Sequence, residues 1–77
     1  MDKQDDKRIE VAFGKHLRSL RENKGLTMLD LSSRIPIETT SLRRIEKGKV
    51  NTSIKMVVKL AIALEITPSE LFDFQID

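Results

Sequence analysis

Thr39, Thr40, Arg43 and Arg44 lie within six positions and occupy outward places if their segment is helical. Two hydroxyls and two guanidiniums in that array suit the reading of base edges. An Arg reaches guanine through paired hydrogen bonds, and a Thr offers its hydroxyl to several bases and its methyl to thymine. The elements that must hold these groups are legible on either side. Leu31 and Ile35 stand at i, i+4, Leu42 and Ile45 at i, i+3, and Pro36 interrupts the pattern between them. Residues 27–48 therefore read as two short amphipathic helices joined by a turn, a helix-turn-helix whose second helix stands out as a ridge able to enter the major groove of DNA.

Helical punctuation continues outward. Ile9, Phe13, Leu17 and Leu20 form one stripe, which predicts a first helix over about residues 6–24, stopped at Gly25. Thr27 caps the second helix, with Asp30 three residues on. Thr52 or Ser53 caps a fourth, with Met56, Val57, Leu60, Ala61 and Leu64 on its apolar side and an end near Glu65. Thr67-Pro68-Ser69-Glu70 is a capping box with Pro at the first helical position, so a short fifth helix should run over about residues 68–74. No strand pattern occurs. The expected architecture is all-α: one five-helix domain over residues 1–77, with residues 1–7 a disordered, charged tail.

The net charge is only +2, but its placement is uneven. Between Lys15 and Lys59 there are eleven basic residues against four acids, whereas both tails are acidic. A cationic centre with acidic ends suits a nucleic-acid face turned toward phosphate. The absence of cysteine excludes disulfides and thiolate metal sites, and His16 is the only imidazole, so neither metal nor cofactor chemistry is expected. The same shortage argues against an enzyme, because His16 is the only base for six serines. No apolar run approaches the roughly 20 residues of a membrane span, and the polar start is unlike a signal peptide, so a soluble, cytoplasmic protein is expected.

Over residues 13–72 the chain resembles the helix-turn-helix family of phage repressors and Cro proteins, the XRE family. The matching residues are Leu17, Leu20-Arg21, Lys24-Gly25-Leu26-Thr27, Leu31, Leu42, Ile45-Glu46-Lys47-Gly48-Lys49, Leu60-Ala61, Ala63-Leu64 and Leu71-Phe72. In length it is similar to the controller proteins of restriction-modification systems, a size shared by small repressors and antitoxins. The resemblance implies a compact repressor-like domain that puts residues 38–46 in the major groove, with Thr39, Thr40 and Arg44 at base edges and Arg43 at a base or phosphate. It pairs Arg21 with Glu46 as a structural ion pair. It implies phosphate contacts at Thr27 and Met28, and at Lys47, Lys49, Asn51, Thr52, Ser53 and Lys55 around the start of the fourth helix, where free N–H groups suit an anion.

Three residues depart from the family pattern. Met28 stands where a phosphate-binding Gln is usual. Pro36 replaces the turn glycine, and since it lacks an N–H and a left-handed conformation, it should alter the turn and the angle of the helix that follows. Glu38 replaces a Ser or Thr cap and puts a carboxylate near DNA phosphate. Finally, Leu71, Phe72, Phe74 and Ile76 carry more apolar surface than one face of a small domain hides. Part of the cluster should close the core under Leu60 and Leu64, and the rest should meet a second copy across a twofold axis. The expected function is a sequence-specific regulator that binds double-stranded DNA as a homodimer on an inverted repeat. The competing expectation is an antitoxin or other interaction module, with an unseen protein partner and secondary DNA binding.

Overall fold

The computed structural model describes residues 3–76, with Lys3 for its backbone only. It contains α1 (Lys3–Asn23), α2 (Met28–Arg34), α3 (Thr39–Glu46), α4 (Ile54–Leu64) and α5 (Pro68–Leu71), and no strand among the described residues. None of these helices is long and apolar enough to cross a membrane.

The start of α1 corrects the expected tail. Residues 3–7 are helical, with Asp5 and Asp6 in the first turn, where carboxylates favour the helix dipole, and Arg8 within 3.5 Å of Asp5. Lys7 reaches across to the Gly48 carbonyl at 3.0 Å, which ties this first stretch to the loop after α3. Residues 1, 2 and 77 lie outside the described residues.

Helix ends follow local chemistry. At the close of α1, the Leu26 N–H bonds the Arg21 carbonyl at 3.1 Å around Gly25, whose φ is +71°. The close of α3 repeats the pattern, with the Lys49 N–H on the Arg44 carbonyl at 3.0 Å around Gly48. Helix α4 ends the same way but places Glu65 in the left-handed position, at φ 59°. Capping boxes open α2 and α5, from Thr27 with Asp30 and from Thr67 with Glu70. The Thr27 N–H, donating to Asp30, holds that carboxyl below its ordinary pKa. In the turn between α2 and α3 the Ile35–Pro36 peptide is cis, and the Ile37 N–H donates to the Ser32 carbonyl at 2.8 Å. The turn is closed without a left-handed residue, so the missing glycine is not required.

Leu17, Leu31, Leu42, Leu60, Leu64 and Leu71 are fully buried and draw one side chain or more from every helix. Each such burial stabilises the fold by about 1.5–3 kcal/mol. The helix α1 packs on α3, α2 on α3 and α4, and α4 on α5. Between α2 and α4 the Arg34 guanidinium donates to the Ala63 carbonyl at 3.1 Å, a cation at a helix C-terminus.

The fifth helix is shorter than expected, ending at Leu71 because the chain then folds back. The Phe74 ring meets Phe13 edge-on, with centroids 5.9 Å apart, and lies 5.7 Å from the His16 ring. His16 Nε2 is 2.8 Å from the Glu70 carbonyl, which can only accept, so this nitrogen carries the proton. Leu71 was expected at a dimer interface. It is instead wholly enclosed in its own protomer's core and presents no surface to a second copy. Phe74 is half-buried, whereas Phe72 and Ile76 stay exposed.

Candidate nucleic-acid interface

The pattern of α3 divides its residues cleanly. Leu42, Ile45 and Glu46 are buried, and Thr40, Ser41, Arg43 and Arg44 are exposed. Among the described residues no ion pair engages Arg43, Arg44, Lys47, Lys49 or Lys55. Thr39 differs from its neighbours. It is half-buried, and its hydroxyl lies 3.3 Å from that of Ser32, a residue only 1% exposed. Ser32 donates its own proton to the Leu29 carbonyl at 3.1 Å, so Thr39 must be the donor between the two hydroxyls. Its lone pairs and methyl are what it has left for a ligand. Glu38 makes no side-chain cap bond to the α3 backbone, and Thr40 reaches its carboxylate at 3.5 Å.

Arg21 and Glu46 hold the ridge in place. Arg21 Nε donates to Glu46 Oε2 at 2.8 Å and Nη2 to Oε1 at 3.1 Å, a two-point contact between residues each 8% exposed. Nη1 donates to the Leu26 carbonyl at 2.8 Å, so one guanidinium joins α1, the loop before α2 and the end of α3. Its bond to Glu46 raises the Arg21 pKa above the ordinary value. Gly14 permits the close approach. A Cβ there would strike the Glu46 carbonyl oxygen and lie 2.6 Å from that of Ile45. Gly48 is similarly pressed, its Cβ position lying 2.6 Å from the Val11 Cα.

The residues expected near phosphate do not form one surface. Lys47, Lys49 and Lys55 are exposed cations. Met28 is half-buried against the core and shares a notch with Arg18, Arg21, Arg43, Glu46 and Lys47. The Thr27 N–H and hydroxyl oxygen both serve the capping box with Asp30, and Ser53 Oγ accepts the Met56 N–H at 3.1 Å to cap α4. Asn51 and Thr52 sit apart from these lysines in the company they keep. Asn51 lines a groove with Asp6, Ile9 and Glu10, acidic company that opposes phosphate, and Thr52 faces an apolar groove with Phe13, Ile54 and Phe72. Sequence reasoning overlooked Gly14, Arg18, Ser32 and Arg34. A glycine between Phe13 and Leu17 was a visible sign of close backbone approach. The pairings of Ser32 and Arg34 are tertiary and left no local sign.

Two short helices at a tight turn, clamped by α1 and α4 with a cationic ridge outward, define the helix-turn-helix class. The chain belongs to the helix-turn-helix family HTH_3, which matches residues 17–71. It is 37% identical over 65 residues to the control protein C.MunI of a Mycoplasma species, covering 83% of this chain and 88% of that relative. It is 30% identical over 67 residues to the control protein C.BamHI of Bacillus amyloliquefaciens, covering 86% and 83%. The crystal structure of the restriction-modification controller protein C.AhdI from Aeromonas hydrophila superposes with a TM-score of 0.81 at 39% identity, over 83% of this chain and 97% of that one.

Proposed function

We propose that this protein is a sequence-specific regulator of transcription of the controller type, acting as a homodimer on an inverted repeat in double-stranded DNA. The observation that carries the reading is the exposed ridge of Thr40, Arg43 and Arg44, whose two guanidiniums make no ion pair among the described residues, fixed to the scaffold by the buried Arg21–Glu46 bond. The role is binding, without cofactor or catalysis, in the cytoplasm where duplex DNA is reached. Arg44 and Thr40 read bases, while Lys47, Lys49 and Lys55 contact phosphate and set register.

The twofold contact is best supplied by α4. Ile54, Val58 and Ile62 stand at i, i+4, i+8 and are 82%, 39% and 70% exposed, and Phe72 and Ile76 add to the apolar surface. Paired there, two ridges would meet half-sites one helical turn, about 34 Å, apart. Selection of bound molecules from a random duplex pool tests the whole reading. A palindromic consensus is the expected result; recovery of unenriched sequence would overturn it.

A further inference from the structure

Beside the ridge lies a concave notch of about 250 Å³ between α1, the start of α2 and the end of α3. Arg18, Arg43 and Lys47 bring three positive charges to its walls. The carboxylate in the wall, Glu46, is already committed through both oxygens to Arg21 and neutralises none of them. Met28 contributes a thioether with no hydrogen to donate. Arg43 and Lys47 make no ion pair among the described residues. Among the described residues Arg18 is held only by Glu22 on its own helix, at 3.3 Å, with the two side chains 64% and 55% exposed. A pair so exposed is weak and readily exchanged.

The location of the notch selects its ligand. A helix with its side chains is about 10–12 Å across, and the major groove is about 12 Å wide, so a helix seated there has a phosphate strand along each flank. Arg43 is turned about 100° from Arg44 around α3, toward α1, and thus toward one of those strands.

Resting on the DNA-binding reading above, we propose that Arg18, Arg43 and Lys47 form a phosphodiester site, in which Arg18 exchanges Glu22 for a backbone phosphate. The first helix then becomes part of the DNA contact. Arg43 is assigned to the backbone, and base reading falls to Arg44 and Thr40.

The test is the salt dependence of binding by the full chain, to its selected duplex and to a mixed-sequence duplex, titrated over potassium chloride. Arg18→Gln and Arg43→Gln should each lower the slope of log K against log salt by roughly one and weaken both duplexes by the same factor. Glu22→Gln should tighten both, because the competing carboxylate is gone. All three side chains are exposed, so melting curves should match wild type and exclude misfolding. A wild-type slope in Arg18→Gln, or a loss confined to the selected duplex, would overturn the site while leaving the regulator reading intact. A wild type that binds neither duplex would remove both.

Discussion

Around the α1–α3 contact, position is set by directional bonds and by backbone tolerances too tight for a methyl group. At the α4–α5 end it is set by apolar burial. Of the three buried polar or charged residues among those described, Arg21 and Glu46 lie at the first end and Ser32 at the α2–α3 joint beside it, and none lies at the second. Five of the six large exposed apolar residues, Ile54, Val58, Ile62, Phe72 and Ile76, lie at the second. The contrast matches what the proposed function asks of each end. Reading bases requires a helix fixed in angle and height, which hydrogen bonds supply and dispersion does not. Joining a second copy requires area, which an apolar stripe supplies without direction.

The comparison breaks most readily at the ion pair. Glu46→Ala or Arg21→Ala leaves a buried charge alone, at a cost of about 3–5 kcal/mol, and urea unfolding should show most of the domain's stability gone. A loss under about 1 kcal/mol would mean that direction matters less there than geometry suggests. Gly14→Ala adds one methyl against the Ile45 and Glu46 carbonyls, so α1 must shift. A loss of about 1–3 kcal/mol is expected, with weaker binding to the selected duplex because α3 moves too. Unfolding and DNA titration should change together; a stable variant with wild-type affinity would show that the spacing has slack.

Smaller changes sharpen the apolar end. Glu65→Gly relieves the left-handed strain at the close of α4 and should stabilise by about 1 kcal/mol, read as a higher urea midpoint with unchanged slope. Ile62→Glu should leave the dilute monomer's stability within about 0.5 kcal/mol of wild type, since Ile62 is 70% exposed. Its effect belongs to association. Sedimentation should show a monomer at concentrations where wild type is dimeric, and a variant that remained dimeric would move the interface off α4.

Much of the fold was legible because its helix ends are local devices: Gly25 and Gly48 at the stops, Thr27 with Asp30 and Thr67 with Glu70 at the starts. What was not legible depends on distant partners. Helix α5 stops early because Phe74 turns back onto Phe13 and His16, more than fifty residues away in sequence. Helix α4 is apolar on nearly every face, so its periodicity marked an inner side at Leu60 and Leu64 but could not single out Ile54, Val58 and Ile62 as a second, uncovered one. At the ridge, residue type alone placed Thr39 among free readers, and only the fold reveals its tie to Ser32.

That tie divides the ridge by how freely it can diverge. Among the described residues the Arg44 side chain makes no ion pair, so replacing it leaves folding nearly untouched, and such a regulator can acquire a new operator by substitution there. Thr39 has no such liberty. Its hydroxyl serves the joint between α2 and α3, and a replacement that lacks it strips the nearly sealed Ser32 of a donor. Among related regulators sharing one cell, drift in target preference should therefore begin at position 44 and reach position 39 only when position 32 changes with it.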